Sequence, residues 1–557
     1  MDINSQNCNY MDVKKFNIKQ LEDLCLDIRL GIIDAVNKNG GHLSSNLGVV
    51  ETTVALSALF DFSVDKVVFD VGHQCYAYKM LTGRVDDMSS LRTQGGISGF
   101  SDSCESVFDV FSTGHAGTSI NACLGISASR DLKGEDYYVI AVVGDGALCN
   151  GLNLEGLFAF ENKPKKFIVL LNDNGMSISK NQNAFYKAVC NDGSIVKNFG
   201  LEYLLIEDGN DIASLLEGVA KAKEIAKDSP LLLHVKTVKG KGYQQAETYP
   251  DVYHGVGENL VGDNGEMSTC LGDTVCELIN ENNHVVAVVA GMKDGTGLAR
   301  VEKEYPDNFF DLGIAESSAV TFSAGLASNG YRPIVAIYST FMQRAYDQLL
   351  HDVCLQNLPV VFCLDRAGFV GRDGKTHQGL YDLSYCLHLP NVTVLAPNTQ
   401  EELKGALKYA LSLNAPVVIR YPKTAKSQQT LSIKESPWLK IKQGKKANIL
   451  AVGPKMLAIA KAVAEKVRGV GVISVRTVKP IDFSALKEIK KLPIITLEEN
   501  SVIGGFGSYL ATSLNGQGKI VTLGATDRFF EHGDIECQLK QSNLTVESVT
   551  KTVKSIL

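Results

Sequence analysis

No pair of cysteines in this sequence has the Cys-x-x-Cys spacing, although thirteen cysteines are scattered from Cys8 to Cys537. This pattern argues against a zinc site or a disulfide framework and favours a reducing compartment. The chain also lacks an uninterrupted apolar run of membrane-spanning length. Its first sixteen residues have no apolar stretch typical of a secretion signal and too few basic residues for an organelle transit peptide. We therefore expect a cytoplasmic protein that does not enter the membrane.

An excess of positive charge is missing as well, because the formal net charge is -7 at pH 7. Bulk electrostatics therefore gives no reason to expect binding to nucleic acid or to an anionic membrane, although a local basic pocket can still hold phosphate. Hydrophobic residues make up 45% and charged residues 21% of the chain, as in ordinary globular proteins. These values favour a small-molecule partner.

Short apolar runs alternate with helical patterns along the chain, which is typical of mainly parallel sheets flanked by helices, an α/β fold. The predicted strands are Tyr137–Val143, Phe167–Leu171, Leu231–Val235, Val285–Ala290, Ile334–Tyr338, Val360–Leu364, Val392–Ala396, Val417–Arg420, Ile449–Val452, Val470–Val475 and Ile494–Leu497. A chain of 557 residues exceeds one hydrophobic core, so we expect three domains. Breaks within Gly255–Gly265 and Lys423–Lys446 suggest the domains 1–262, 263–430 and 431–557.

Two neighbouring predicted strands end in polar turns, Gly144-Asp145-Gly146-Ala147 and Asn172-Asp173-Asn174-Gly175-Met176. In open parallel sheets, ligands bind beyond the carboxyl ends of the strands. Asp145 offers a carboxylate, Asn174 an amide oxygen and the turn after it a backbone carbonyl, which are hard ligands that Mg²⁺ accepts beside phosphate oxygens. Either turn alone is more often a simple chain reversal. Their spacing of 29 positions favours a site for a metal ion and a diphosphate.

At this spacing the two turns form the motif of thiamine diphosphate enzymes, and the chain resembles the 1-deoxy-D-xylulose-5-phosphate synthase family, which is related to transketolase. The resemblance runs from about Gly40 to the C-terminus and implies three transketolase-like domains: diphosphate-binding, pyrimidine-binding and C-terminal. The segments that carry it are Gly40–Gly48, Asp70–Gln74, Gly114–Ser119, Lys239–Tyr243, Ile314–Glu316, Tyr338–Gln348, Asp365–Gly368, Thr376–Gly379 and Arg420–Pro422.

The resemblance implies that Mg²⁺ is bound by Asp145, Asn174 and the carbonyl of Met176. It implies a thiamine diphosphate site lined by His73, Gly114, His115, Ala116, Gly146, Ala147, Asn174, Met176, Tyr243 and Glu316. Glu316 matches the carboxylate that contacts the aminopyrimidine ring, where proton sharing with the ring nitrogen activates the cofactor. The alternative is that Glu316 only starts the helix predicted over 315–328.

Further roles implied by the resemblance concern the two substrates. His42 and His73 would face the reacting carbons, and Arg344 would receive the donor. Asp373 and His377 would hold hydroxyls of the acceptor aldehyde. Its phosphate would be held by Tyr338, Arg366 and Arg420, because guanidinium groups bind phosphate through parallel donors. The alternative for each arginine is an ordinary ion pair.

The implied reaction joins pyruvate, with loss of CO₂, to D-glyceraldehyde 3-phosphate and gives 1-deoxy-D-xylulose 5-phosphate, in a protein expected to be a homodimer. Two departures leave a second hypothesis open, namely transketolase-like ketol transfer or another donor or aldehyde. Ser317-Ser318 stand where the family usually has Gln-His, and the stretch from Ser179 to Leu201 is shorter than the family norm. A third hypothesis is a non-catalytic paralogue, against which the retained Asp145, Asn174 and Glu316 count.

Overall fold

The computed structural model describes residues 13–176, 183–261, 265–427 and 431–557. Its chain forms two compact units, Met1–Asp263 and Asn264–Leu557. The predicted domain boundary at 262/263 lies outside the described ranges, the one at 430/431 lies at the edge of a gap in them, and both stay predictions. Each unit is built on mainly parallel strands covered by helices, which confirms the predicted α/β fold class.

The first unit contains a five-stranded sheet in which each pair of neighbours is parallel, in the order β1-β2-β3-β5-β4. Its strands are β1 Lys66–Phe69, β2 Val139–Gly144, β3 Phe167–Asp173, β4 Glu202–Ile206 and β5 Leu231–Lys236. Its α-helices are Ile18–Asn39, Ser44–Leu47, Val50–Leu59, Tyr76–Lys79, Ser119–Lys133, Asp145–Leu148, Gly151–Phe158, Ala184–Asn191, Ile212–Ala226 and Gln244–Thr248. The central strands β3 and β5 are buried almost throughout because helices cover both faces, and their first three residues are apolar.

The second unit contains two sheets. The first has the order β15-β10-β11-β9-β8-β6-β7, with β6 Val285–Val289, β7 Phe309–Asp311, β8 Arg332–Tyr338, β9 Val361–Asp365, β10 Thr393–Leu395, β11 Val417–Arg420 and β15 Thr477–Lys479. The other has the order β12-β14-β13-β16-β17, with β12 Trp438–Lys442, β13 Ala447–Val452, β14 Val470–Val475, β16 Ile494–Ser501 and β17 Ile520–Ala525. Only β12 and β15 are antiparallel to their neighbours within these sheets.

The helices of the second unit cover the faces of both sheets. They are Glu266–Glu281, Ala299–Glu304, Glu316–Ser328, Ser339–Met342, Tyr346–Gln348, Asp382–Cys386, Gln400–Ser412, Pro454–Lys466, Phe483–Ile489, Phe506–Leu514, Ile535–Gln541 and Val546–Ile556.

Strand β15 joins the two sheets of the second unit. It follows β14 of one sheet in sequence but pairs with β10 of the other, Val394 facing Lys479. Just before it, the fully buried Arg476 pairs with Glu402 and donates to the backbone carbonyls of Ser432 and Ser436. The last 130 residues or so of the chain are therefore tied to the preceding sheet by backbone pairing as well as by side-chain packing.

Within the described ranges, no helix combines the length and the apolar character needed to span a membrane. The cysteines in those ranges are free thiols.

Candidate active site

The predicted metal ligands lie on two adjacent turns of the first unit. Strands β2 and β3 are parallel neighbours in which Gly144 faces Asn172, so the turns that follow them meet at one edge of the sheet. Asp145 is buried, and its Oδ1 accepts a hydrogen bond from the Gly146 N–H at 2.7 Å. The backbone N–H of Met176 lies within hydrogen-bonding reach of the same carboxylate and donates to Asn174 Oδ1 at 3.2 Å. The structure thus brings Asp145, Asn174 and Met176 together.

The Asp145 carboxylate fits a divalent cation. Burial and the nearby charge of Asp173 raise the pKa of Asp145 to about 8. Its Oδ2 is buried without a hydrogen-bond partner among the described residues. Burial also opposes ionisation of Asp173, but hydrogen bonds from His234 and Tyr186 outweigh it and lower the pKa of Asp173 to about 2. An unpaired buried carboxylate oxygen is unfavourable, and a hard cation on oxygen ligands removes that penalty.

Asp70, the first residue after β1, anchors the loop that carries Gly114, His115 and Ala116. It is completely buried, and its Oδ1 accepts from the Gly117 N–H at 2.7 Å. Its Oδ2 accepts from the Ser119 N–H at 3.0 Å, the Ser119 hydroxyl at 2.7 Å and Asn153 Nδ2 at 3.2 Å. Burial raises the pKa of Asp70, and these hydrogen bonds oppose the shift. The loop is therefore fixed to the strand end that leads to His73.

Asn153 extends this anchoring to the turn that carries Asp145. Its Nδ2 also donates to the Ala147 carbonyl at 2.8 Å, so one side chain ties Asp70 to the helix Asp145–Leu148. Gly117 has φ +90°, and a Cβ there would lie 2.1 Å from Asn150 Oδ1, so only glycine fits. Three segments predicted to line the cofactor, at residues 70–74, 114–117 and 145–148, thus share one hydrogen-bond network.

Three histidines of the first unit form a cluster. The ring centroids of His42 and His73 lie 5.1 Å apart, and His254 lies 5.6 Å from His42 and 5.3 Å from His73. Burial lowers the pKa of His254 well below its usual value, with further lowering from Lys239 and the two other histidines. The structure brings the predicted His42 and His73 together and adds His254, whose place in a turn was the only signal in the sequence.

Lys239 is a second residue to which the sequence assigned no role. It is buried, and burial lowers its pKa to about 8 although Asp145 and Asp251 act in the opposite direction. The charge of Lys239 therefore acts on Asp145. Tyr243, predicted to line the cofactor, packs on the ring of Tyr253 at 5.8 Å, in the same segment as His254.

In the second unit, Glu316 and Arg344 form an ion pair. Glu316 is the first residue of the helix Glu316–Ser328, as the helix alternative predicted, and it is buried. Its Oε2 lies 3.8 Å from Arg344 Nη1 and lacks a hydrogen-bond partner among the described residues. Burial raises the pKa of Glu316 while Arg344 opposes the shift. Ser317 donates to the Arg344 backbone carbonyl at 3.0 Å, and Ser318 is exposed within the unit.

A cluster of aromatic and cationic groups surrounds Tyr338 at the end of β8. The Arg366 guanidinium lies over the Tyr338 ring at 4.4 Å, and Phe341 stacks on that ring at 5.7 Å. His377 packs edge-on against Phe341 at 5.5 Å. Asp373 lies four residues before His377, in the short 3₁₀ helix Gly371–Asp373. The structure therefore groups the predicted Tyr338, Arg366 and His377.

Arg366 also pairs with Asp365 at 2.8 Å, and Arg420 likewise lies in an ion pair. This buried side chain pairs with Asp382 through its Nε at 2.8 Å and donates through Nη2 to the Glu499 carbonyl at 3.0 Å. That is the ion-pair arrangement weighed above as the alternative for each arginine. Its role toward a phosphate stays a prediction.

Comparison with known proteins places this architecture in a class. Residues 264–428 match the profile of the transketolase pyrimidine binding domain, and residues 437–549 match that of the transketolase C-terminal domain. The solved transketolase from Campylobacter jejuni is 17% identical, with coverage of 97% of this chain and 100% of its own and a TM-score of 0.46. The two profiles define a transketolase-type transferase.

The family within that class follows from residues 5–191, which match the profile of 1-deoxy-D-xylulose-5-phosphate synthase. Proteins of that name from Clostridium tetani and Clostridium beijerinckii are 41% and 42% identical to this chain, in each case over 98% of both sequences. The chain belongs to the 1-deoxy-D-xylulose-5-phosphate synthase family. Its alignment with the C. tetani protein spans 608 residues, more than the 557 of this chain, so that relative carries segments absent here.

Proposed function

We propose that this chain is a thiamine diphosphate- and Mg²⁺-dependent synthase that joins pyruvate, with loss of CO₂, to D-glyceraldehyde 3-phosphate and forms 1-deoxy-D-xylulose 5-phosphate. One observation carries the proposal: the buried Asp145 keeps an oxygen without a donor, beside Asn174 and Met176. The 41% identity to a synthase of that name over 98% of both chains supports the same reaction.

The first unit supplies the site for the ion and the diphosphate. Asp145, Asn174 and the Met176 carbonyl offer oxygen ligands to Mg²⁺, which keeps its remaining positions for phosphate and water. The cofactor is lined by His73, Gly114, His115, Ala116, Gly146, Ala147 and Tyr243. Bound thiamine diphosphate supplies the electron sink for cleavage and formation of a carbon-carbon bond.

Glu316 acts as the proton-holding carboxylate toward the aminopyrimidine ring. Burial raises its pKa, so the side chain holds a proton more readily than an exposed glutamate does. Arg344, 3.8 Å away, opposes that rise by favouring the charged form. A carboxyl group that holds a proton more readily than usual suits proton exchange with a ring nitrogen.

The remaining predicted residues bind substrates in this proposal. Arg344 receives the carboxylate of pyruvate, and Tyr338 with Arg366 and Arg420 holds the phosphate of the acceptor. Asp373 and His377 bind acceptor hydroxyls, while His42 and His73 contact the reacting carbons. The cluster of Arg366, Tyr338 and His377 supports this assignment.

A product assay tests the function. The purified protein is incubated with thiamine diphosphate, Mg²⁺, pyruvate and D-glyceraldehyde 3-phosphate, and the products are identified by mass. We expect 1-deoxy-D-xylulose 5-phosphate and release of CO₂ that depends on the aldehyde. Glu316→Gln should nearly stop turnover, while Glu281→Gln, at an exposed position of the same unit, serves as the matched control. Failure of the wild-type protein to consume pyruvate with any aldehyde would refute the function.

A different donor or aldehyde is the second candidate. It is favoured by the exposed Ser318, by the short stretch before Leu201 and by the segments that the C. tetani relative carries and this chain lacks. Residues 177–182 of that stretch lie outside the described residues. A panel of aldehydes with pyruvate, run beside a ketose phosphate donor, separates the two candidates. The non-catalytic alternative predicts no product in any reaction.

We also propose a cytoplasmic homodimer. Membership of the 1-deoxy-D-xylulose-5-phosphate synthase family supports this. Light scattering coupled to size-exclusion chromatography should give twice the 60.2 kDa of the chain.

A further inference from the structure

Asp173, the last residue of β3, lies at the centre of a second network of hydrogen bonds. Its Oδ2 accepts from His234 Nε2 at 2.8 Å, and its Oδ1 accepts from the Tyr186 hydroxyl at 2.8 Å and the Gly175 N–H at 3.0 Å. Gly175 stands between Asn174 and Met176, the two ligands expected from this turn. The Asp173 carboxylate therefore holds the backbone of the ion-binding turn from the side of the sheet.

His234 connects Asp173 to the edge strand β4 through hydrogen bonds on both sides of its ring. It is fully buried in β5, and its Nδ1 bonds the Tyr203 hydroxyl of β4 at 2.8 Å. The Tyr203 ring packs so closely on Gly193 that a Cβ there would lie 1.9 Å from it. Both ring nitrogens of His234 are engaged, which fixes the orientation of the ring.

Tyr186 connects the helix Ala184–Asn191 to Asp173 through its hydroxyl group. Asn183 caps the helix by accepting from the Phe185 N–H at 2.8 Å, and Cys190, one turn after Tyr186, donates its thiol to Asp173 Oδ2 at 3.4 Å. This helix lies in the stretch before Leu201 that is shorter than the family norm. In this chain the shortened stretch thus contacts the turn directly.

We propose that Asp173, His234, Tyr203 and Tyr186 form a positioning network that holds the turn Asn172–Met176 in its ion-binding shape and so sets the affinity for the divalent ion and the diphosphate. The inference rests on the proposed function only for the identity of the ion site. It assigns roles to residues that do not contact the ion. Outer partners of this kind typically change metal affinity by about 10- to 100-fold when they are removed.

A rival interpretation is that Asp173, Cys190 and His234 themselves bind a metal ion, since their donor atoms all lie within 4.8 Å of one another. The hydrogen bonds argue against it. His234 Nε2 and the Cys190 thiol already use Asp173 as their acceptor, and Tyr203 occupies the other histidine nitrogen. The network is complete without an ion.

Binding of Mn²⁺ as a probe for Mg²⁺ tests the proposal without any substrate. Free Mn²⁺ is measured by electron paramagnetic resonance in the presence of thiamine diphosphate. His234→Leu removes both hydrogen bonds and should weaken Mn²⁺ binding by about 10- to 100-fold. His234→Gln keeps a donor near the position of Nε2 and should recover most of that affinity. Tyr186→Phe removes one hydrogen bond to Asp173 and should weaken binding by about 10-fold, the lower end of that range. Tyr249→Phe, on an exposed tyrosine of the same unit, should change nothing.

The outcomes separate the possibilities. Unchanged Mn²⁺ affinity in folded His234→Leu would overturn the proposal. A loss in Cys190→Ala as large as that in His234→Leu would overturn it in favour of a metal site at Asp173, Cys190 and His234. If His234→Leu does not fold, Tyr186→Phe and Tyr203→Phe decide, since each removes a single hydroxyl. Because the assay contains no substrate, a wild-type protein that binds Mn²⁺ but makes no product refutes the function and leaves this inference standing.

Discussion

Asp70 and Asp145 occupy the same place on neighbouring strands but have different surroundings. Each is the first residue after its strand, β1 or β2, and these strands are parallel neighbours. Both are buried, and burial raises the pKa of both. Asp70 accepts four hydrogen bonds, whereas Asp145 keeps one oxygen without a donor among the described residues. Burial is therefore common to both carboxylates, and the number of donors around each is what predicts a structural role for Asp70 and a ligand role for Asp145.

The largest effect in this comparison is expected from Asp145→Asn. The substitution replaces a carboxyl group whose ionisation is opposed by burial and by Asp173, so the free energy of unfolding without ligand should stay the same or rise. Affinity for Mg²⁺ with thiamine diphosphate should fall by about 100-fold or more, since a ligand is lost. Calorimetric titration measures the affinity, and Asp228→Asn on the exposed surface is the control. Wild-type affinity in Asp145→Asn would remove Asp145 from the ion site.

Asp70→Asn should show the opposite behaviour. An amide in place of the carboxylate turns an NH₂ group toward backbone and hydroxyl donors, so buried donors lose their acceptor. We expect a loss of about 3 kcal/mol in the free energy of unfolding. Thermal and urea unfolding measure it. If Asp70→Asn is as stable as the wild type, the donor count has no bearing on the role of a buried carboxylate.

Glu498, in β16 of the second unit, extends the comparison to pH. This buried carboxylate accepts from the Phe506 and Gly507 N–H groups, yet burial raises its pKa to about 7. A raised carboxyl pKa means that the folded protein binds more protons than the unfolded chain between about pH 4.5 and 7. Stability should therefore fall as the pH rises through this window, by about 3 kcal/mol in total for this group.

The measurement is the midpoint of urea unfolding as a function of pH, from pH 4.5 to 8. It is made for the wild type and for Glu498→Gln, whose midpoint should change less with pH. Glu488→Gln, on an exposed glutamate paired with Lys440, should keep the wild-type slope. Parallel profiles for the wild type and Glu498→Gln would contradict the assignment.

Asn153→Ala should give the smallest effect. It removes one of the four donors to Asp70 and the link to the Ala147 carbonyl. We expect a loss of about 1 to 2 kcal/mol in the free energy of unfolding, together with weaker ion binding because the turn at Asp145 loses a restraint. A variant with unchanged stability and ion affinity would show that the two turns are held independently.

The sequence predicted the interior strands and missed the edges. Each of the eleven predicted runs corresponds to a strand inside a sheet, and Val417–Arg420 and Val470–Val475 match the structure at both ends. The six strands without a prediction, β1, β4, β7, β12, β15 and β17, are the two edges of each sheet. An interior parallel strand is a continuous apolar run because both faces are covered, whereas an edge strand is short or partly polar, as Trp438–Lys442 is.

The same limit holds for the candidate site: motifs at adjacent strand ends could be predicted to lie close together, whereas contacts between distant segments could not. Asp145 and Asn174 stand in local motifs whose spacing can be read along the chain, and adjacent parallel strands bring such motifs together. The network around Asp173 combines residues from β3, β4, β5 and a helix, and no local motif marks Tyr186 or Tyr203. The position of His254 beside His42 likewise depends on the return of a segment more than two hundred residues later.

The exchange of β15 between the two sheets of the second unit affects how this part of the chain can be divided. If residues 265–427 were expressed alone, β10 would keep β11 but lose β15, and it would expose a row of unpaired backbone groups at the edge of the sheet. Such an edge invites pairing with other chains and aggregation. The two sheets should therefore melt in a single cooperative transition, and a separately produced fragment should be poorly soluble even though its own core is large.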